Sequence, residues 1–391
     1  MDTVHDLIVL FANNGIDRQR SDGSMPAGHN GPWNDPETPV RNTGYWLITF
    51  AKAHEITSES RYIEAARNAA EYLLSSPVRP HGETFHHRSG ARDHCNGLIG
   101  QAWTIEALVL GGKYLDNSRM IEVAEKTFLR HPFNDTLSAW RPIETNGSPL
   151  RIHLTFNQQL WFAAAGGLLA NRGGIDYRVN EQVVRFLDQL PANIRTSPNG
   201  LIEHIFKPNF HLGKYMRIFL DGIRDGSAHK MVLRQIQSAT RKFQPRIRLD
   251  SRYSAGRFDE HAIGYHSFNL YGLGLLRESY PDHPVWNSDT VDRVLSVVQT
   301  DEFVDALNGN PYGYPYNCTG IELAYALEVF DRGTEHERQK WLERQFNRTY
   351  DPEQQTLSRN TEDPVTLTAR VYEATRLPDW EILLPDIGRT G

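Results

Sequence analysis

Residues 96–131 read NGLIGQAWTIEALVLGGKYLDNSRMIEVAEKTFLRH, and the contrast between the two halves decides the fold. The first half, Asn96 to Leu115, is almost uniformly apolar over a helical length, as a helix buried on several sides requires. The second half is amphipathic, with charged and apolar residues spaced so that one helical face is wet and the other dry. Together they make a hairpin whose first arm is interior and whose second is exterior.

The pairing recurs along the chain. Residues 43–57 (TGYWLITFAKAHEIT) precede 58–74 (SESRYIEAARNAAEYLL), where Tyr62, Ala65, Ala66, Ala69 and Leu73 fall on one helical stripe. FNQQLWFAAAGGLLANR (156–172) precedes RVNEQVVRFLDQL (178–190), and DEHAIGYHSFNLYGLGLLRES (259–279) precedes residues 288–300. CTGIELAYALEVFD (318–331) precedes EHERQKWLERQFN (335–347). A last apolar segment, PVTLTARVYEATRL (364–377), is expected to pair with the N-terminal helix and close a ring. Buried helices alternating with outer amphipathic ones predict an all-α fold, an (α/α)6 toroid of helical hairpins. The turn-rich stretches HPFNDTLSAW, IRTSPNGLIEH and YDPEQQTLSRN add short extended segments in the loops. One domain is expected over 1–391, with an insertion or lid at 208–257, where the pattern fits least well and ends in an Arg-rich run.

A hydrophobic share of 39% and a charged share of 23% are ordinary for a globular chain. The net charge of −6, with no run of basic residues, gives a nucleic-acid surface no electrostatic support. Cys95 and Cys318 form no disulfide framework and suit a reducing compartment. The opening MDTVHDLIVLFANNG has no basic n-region, long apolar core or cleavage site, and no segment is apolar enough to span a membrane. A cytoplasmic location is therefore expected.

The segments that precede the buried helices are PETPVRNT (36–43), HHRSGARDHCNG (86–97), RIHLTFNQ (151–158), RYSAGRFDEH (252–261), YGYPYNCTG (312–320) and LSRNTEDP (357–364). If the inner helices run parallel, these polar loops gather at one end of the barrel, and several helix N-termini point partial positive charge at a common mouth. Such a mouth suits a strongly polar or anionic sugar, with Arg41, Arg88, Arg92, Arg141 and Arg257 as candidates for bidentate carboxylate contacts. Asn42, Asn96, Asn157, Asn317, Asp259 and Asp363 are equally good N-caps.

Three clusters carry candidate chemistry. In the first, Asp93 beside His94 can set the imidazole's tautomer and raise its basicity, with His87, Arg88 and Arg92 around it. In the second, Asp259, Glu260 and His261 open a helix, and Tyr265 and His266 follow about one turn in. In the third, Tyr316 and Asn317 precede a helix that carries Glu322. Glu203 is the isolated carboxylate of an extended segment, and two carboxylates across a cleft would suit glycoside hydrolysis. Proton-transfer candidates are thus Asp93, His94, His261, Tyr316, Glu203 and Asp259. Substrate-binding candidates are Arg41, Asn42, His87, Arg88, Arg92, Asn96, Trp103, Arg141, Asn157, Glu260, Tyr265, His266 and Asn317. A zinc site of His94, Cys95 and Cys318 lacks the close-spaced ligand pair such sites use, so no metal is expected. No Walker motif, dinucleotide fingerprint, GxSxG elbow or HExxH occurs, so no cofactor is expected either.

With GHNGPWNDPETPVRNTGYW (28–46), HCNGLIGQAWTIEAL (94–108) and TFNQQLWFAAAG (155–166) in view, the chain resembles a family encoded in agl clusters, which build and attach N-linked glycans in archaea. That resemblance implies a role in glycan assembly, on a hexuronic acid, beside other proteins of the pathway. Asn96-Gly97 opening a buried helix also looks like the RGNGW segment of unsaturated-uronyl hydrolases, without its arginine and tryptophan. Uronyl C5-epimerases and N-acylglucosamine 2-epimerases share helical-toroid domains. The first expectation is therefore an epimerase or isomerase of a uronic acid. A hydrolase or lyase of the same fold and a non-catalytic glycan-binding component are the alternatives.

Overall fold

The computed structural model describes residues 2–90, 92–152, 155–206 and 255–384. The expected insertion at 208–257 lies outside them, save for residues 255–257, which open a helix.

Among the described residues, six inner segments make the ring. They are α2 (Val40–Thr57), α4 (Gly97–Tyr114), α6 (Phe156–Ala170), α9 (His266–Ser279), α12 (Thr319–Val329) and α14 (Pro364–Ala369), the last continued by the 3-10 turns Arg370–Arg376. Each packs on the next in that order, and the Arg370–Arg376 turns return to α2, so the ring closes. Outside lie α1 (Val4–Arg18), α3 (Ser60–Leu74), α5 (Ser118–Arg130), α7 (Tyr177–Asn193) and α13 (Glu335–Thr349), each amphipathic and packed on an inner neighbour. Between α9 and α12 the outer layer is short: α10 (Asp289–Ser296) and α11 (Asp301–Ala306). Helix α8 (Ala255–Gly264) leads directly into α9. The all-α toroid read from the sequence is the observed fold. As expected, α1 packs on the final inner segment, and strands β1 (Asp2–Thr3) and β6 (Glu381–Ile382) pair antiparallel beside it.

The turn-rich stretches form small hairpins after the outer helices. Strand β2 (Phe133–Asn134) pairs with β3 (Ala139–Trp140), β4 (Tyr350–Asp351) pairs with β5 (Thr356–Leu357), and Thr196 bridges Ile202.

The helix boundaries differ from the expected ones in two places that matter. Helix α2 begins at Val40, so Arg41 lies inside its first turn and not before it. The last inner segment is α-helical only to Ala369, and its continuation winds as a 3-10 helix. A 3-10 helix has about three residues per turn, which places side chains at i and i+3 in line. Arg370, Glu373 and Arg376 therefore stand in one row facing the inside of the ring, all buried or nearly so.

That row is the centre of a buried ionic column. Glu322 and Glu373 both bind Arg370, and Ser267 donates to Glu322 (2.6 Å). Further from the helix N-termini, Arg376 binds Glu106 (2.7 Å), which also takes the Tyr372 hydroxyl (3.3 Å), and Arg376 donates to Tyr271 (3.1 Å). Lone charged residues on apolar helices are thus paired with one another, as buried charges must be.

Candidate active site

The loops before the inner helices do converge. The loop between α1 and α2 crosses the mouth and puts Asn30 and Trp33 there. Asp363, the N-cap of α14, pins that loop: Oδ2 accepts from His29 N (2.9 Å) and Gly31 N (3.3 Å), and Oδ1 from Thr366 N (3.1 Å). On the other side the loop is zipped to residues 86–94, with Thr38 N on the His87 carbonyl (2.8 Å) and Ser89 N on the Pro36 carbonyl (3.0 Å). Gly31 has φ +53°, and a Cβ there would lie 2.4 Å from the Tyr316 ring, so only glycine lets the loop settle on that ring.

The floor of the mouth is aromatic. His261, on α8, stacks on Tyr312 (ring centroids 4.1 Å) and on Trp33 (5.6 Å). His204, from the extended segment after α7, lies 6.0 Å from His261 and 5.5 Å from Tyr265. Tyr265 and Tyr316 meet edge to face at 5.9 Å. Their polar atoms form a directed chain. Trp33 Nε1 is only a donor, so it gives its hydrogen to the Tyr265 oxygen (2.8 Å), and Tyr265 hydrogen-bonds on to Tyr316. The Tyr316 hydroxyl donates to Asn30 Oδ1 (2.9 Å), which also accepts Arg41 Nη1 (3.1 Å). Burial raises the pKa of both phenols, so they stay protonated at neutral pH. Tyr316, read from sequence as a proton donor, thus has its hydroxyl hydrogen on Asn30.

Arg41 itself is buried. Its guanidinium binds both oxygens of Glu37 (3.1 and 3.3 Å), donates from Nε to Tyr45 (3.1 Å) and lies over the Trp103 ring at 3.9 Å. His87 is wholly buried, with Nε2 against the Thr104 hydroxyl (3.0 Å). Burial and the nearby arginines push its pKa down to about 3, so it is neutral. His87 Nδ1, Asn96 Nδ2, Trp103 Nε1 and Asn157 Oδ1 are buried polar atoms on the α4–α6 side that have no protein hydrogen-bond partner.

The remaining expected residues fall elsewhere. Asp93 does not orient His94; its oxygens accept from Gly97 N (2.8 Å) and Arg88 (3.2 Å) and so cap α4. His94 is exposed at the rim, its Nδ1 on the Arg88 carbonyl (3.0 Å), and Arg92 binds Asp35 (2.8 Å). Both ring nitrogens of His266 serve backbone groups, accepting from Ile202 N (3.1 Å) and bonding the Val294 carbonyl (2.8 Å), so it is a pin for that segment and leaves no nitrogen for a ligand. Asn317 gives its amide to the Gly264 and Tyr312 carbonyls and takes Arg370 on its oxygen. Asn42 donates to the Pro26 carbonyl, and Arg141 Nε to that of Leu150. Glu203 binds Arg195 (2.5 Å). Glu260 is exposed on α8, and the Asp259 side chain lies outside what is described.

Two functional candidates were missed in the sequence. His204 follows Glu203 in an extended stretch, where neighbours point to opposite faces. The bridges Thr196–Ile202 and Thr155–Ile205 fix that stretch, sending Glu203 to Arg195 and His204 to the aromatic floor. Trp33 sits in a short turn whose Asn-Gly-Pro-Trp-Asn sequence signals a special loop.

Asp363 gives the first prediction. Burial raises its pKa, but the amides of His29 and Thr366 and the Arg41 charge outweigh this and hold it below the usual range. Asp363→Ala should cost about 1–3 kcal/mol at pH 7, from three lost amide bonds. A depressed carboxylate stabilises fully above its unfolded pKa of about 4 and ceases to as pH falls through the folded value. Urea denaturation should therefore show the gap between wild type and variant closing towards pH 3.

Fold and mouth together define a helical toroid of the kind that sugar enzymes use. At 10% identity and a TM-score of 0.60, the structure matches cellobiose 2-epimerase from Bacillus thermoamylovorans over 93% of this chain and 94% of that one. An unsaturated glucuronyl hydrolase specific for heparin matches at 10% identity and a TM-score of 0.56, over 95% of both chains. No family model matches the sequence. The sequence is 44% identical to archaeal glycosylation protein Q of Haloferax volcanii over 385 residues, 98% of this chain and 100% of that protein. The chain belongs to the family of archaeal glycosylation protein Q. Among the described residues, no helix is long and apolar enough to cross a membrane.

Proposed function

We propose that the chain is a sugar epimerase or isomerase, acting by proton transfer in glycan assembly. The observation that carries this reading is the imidazole pair His204 and His261, 6.0 Å apart on an aromatic floor, at the end of the ring where the inner helices begin. Aromatic faces hold sugar rings, and imidazoles exchange protons near neutral pH. One imidazole takes the proton from a carbon next to a carbonyl, and the other serves the carbonyl oxygen or returns a proton on the opposite face. The family's link to glycosylation, in the name of its 44% identical relative, supports the setting.

Glycoside hydrolysis fits less well. It needs two carboxylates facing the substrate. Among the described residues of the mouth, Glu37 is on Arg41, Asp93 on Arg88 and Gly97, Glu203 on Arg195, and Asp363 on three amides, while Glu260 is exposed on α8 and the Asp259 side chain lies outside what is described. The test is proton NMR in D2O with free sugars and glucuronate-containing oligosaccharides. Loss of a ring C–H signal with a new isomer is the expected result. A new reducing end with every C–H intact would replace this reading by hydrolysis.

A further inference from the structure

We infer that Glu322 and Glu373 share one proton in the dry interior of the ring, and that in this state they position the His261–Tyr312 stack of the mouth through Arg370 and Asn317. This holds whichever reaction the mouth carries out.

Charge comes first. The 3-10 winding of residues 370–376 puts Arg370 and Glu373 in line, and Glu322 meets the same guanidinium from α12. The Glu322 side chain is 0% exposed, and those of Arg370 and Glu373 are 1% exposed. Two carboxylates thus share one cation where no water screens them. Further along, Glu106 is matched by Arg376 (2.7 Å), so that pair is balanced. Tyr45 of α2, Tyr271 of α9, Cys318 of α12 and Tyr372 also face Glu373. Burial raises the pKa of all four, so each stays neutral. Among the described residues, one negative charge is left over around Arg370, and a dry interior sheds such a charge by taking up a proton.

The hydrogen bonds decide which carboxyl carries it. Glu322 has a donor on each oxygen, with Arg370 on Oε1 and the Ser267 hydroxyl on Oε2 (2.6 Å), a pattern that favours the charged form. Glu373 receives Arg370 Nε (3.0 Å) and Nη2 (2.7 Å) on Oε1 alone, and its buried Oε2 has no hydrogen-bond partner. A hydroxyl left there without an acceptor costs less than a charge left without a donor, so the proton resides on Glu373 Oε2. Burial, against the pull of Arg370, pushes the Glu373 carboxyl up to about 8.

Arg370 carries this state to the mouth. Its Nη1 donates to Asn317 Oδ1 (2.8 Å) and to the Tyr316 carbonyl (3.2 Å). With Oδ1 held there, Asn317 turns Nδ2 onto the carbonyls of Gly264 (2.9 Å), the last residue of α8, and Tyr312 (2.7 Å). Helix α8 carries His261, and Tyr312 is the ring on which it stacks. One amide therefore ties both halves of the stack, and Arg370 fixes which way that amide faces. Loss of the proton puts a second full charge beside the guanidinium. That charge competes with Asn317 and the Tyr316 carbonyl for its hydrogens, so the tie slackens. Glu373 is thus a positioning residue that acts through Arg370.

Glu373→Gln keeps the shape of the protonated side chain and cannot ionise. Infrared spectra at pH 7 should show the C=O stretch of a protonated carboxyl group in wild type that is lost in Glu373→Gln, and in wild type it should fade as pH rises past 8. A carboxyl whose folded pKa lies above its unfolded value of about 4.3 loses stability as pH rises between the two. Thermal midpoints of wild type and Glu373→Gln should therefore coincide near pH 4 and separate by pH 8, with the variant higher. Over that range the wild-type unfolding constant should gain about tenfold per pH unit on the variant's. Adding Glu322→Gln, which leaves Arg370 no carboxylate, should bring the midpoint below wild type. At the mouth, the His261 Cε1 signal in NMR, assigned by its absence from His261→Phe, should shift as pH passes 8 in wild type and stay in place in Glu373→Gln. A Glu373→Gln protein that melts below wild type at pH 8 would make Glu373 an ionised partner of Arg370 and overturn the inference. So would a wild-type spectrum without the carboxyl band, a double variant as stable as the single one, or a His261 signal that responds alike in both proteins.

Discussion

Alanine at His261 should lower the rate of proton exchange by roughly 10³-fold, the usual scale for losing a positioned acid–base group. The protein should remain folded, because His261 sits at the open end of the ring and is only partly buried. Its stacking on Tyr312 and Trp33 offers a competing explanation, in which the ring merely packs. His261→Phe separates the two. Phenylalanine keeps the stack and removes the nitrogens, so activity within a few-fold of wild type would make His261 a packing residue. Loss comparable to alanine's would make it catalytic. The matched His204→Ala variant should also lose exchange, while Glu203→Gln next to it, which faces Arg195, should lose far less.

The largest expected effect on stability lies deeper in the ring. Arg370→Met should cost about 3–5 kcal/mol, because it leaves Glu322 and Glu373 buried without their shared cation. The penalty should depend on pH in a defined direction. Burial already raises both carboxyl pKa values against the pull of Arg370, so removing the arginine raises them further. A carboxyl whose folded pKa lies above its unfolded value loses stability as pH rises between the two. Denaturation midpoints of variant and wild type should therefore be closest near pH 4 and diverge towards pH 8. A gap that stayed constant across that range would mean that the loss comes from packing and not from charge.

The alternation of apolar and amphipathic helices was legible because burial on several sides and burial on one side leave different periodic traces, as in residues 96–131. The position of the mouth followed from the loops before the inner helices. What was not legible was the pairing. Arg41 reads as a ligand clamp until Glu37, one turn away, is seen to hold it. Glu106 and Glu322 look like isolated charges on apolar helices until Arg376 and Arg370 arrive from distant sequence. His204 was hidden by its neighbour, since a one-residue change of face separates a structural ion pair from the aromatic floor. A stricter count of two-residue alternation in residues 201–206 would have found it.

The closing of the ring has a consequence for how the chain is made. Glu106 binds Arg376 across 270 positions of sequence, and Glu322 binds Arg370 across 48. During synthesis the first inner helices leave the ribosome long before residues 364–376, so for most of that time Glu106 has no guanidinium to meet. The half-made ring must keep this carboxyl wet or protonated, and its open flank apolar and uncovered. Emergence of residues 364–376 from the ribosome is then the moment at which the inside can become dry, and chaperone engagement should persist until they are out.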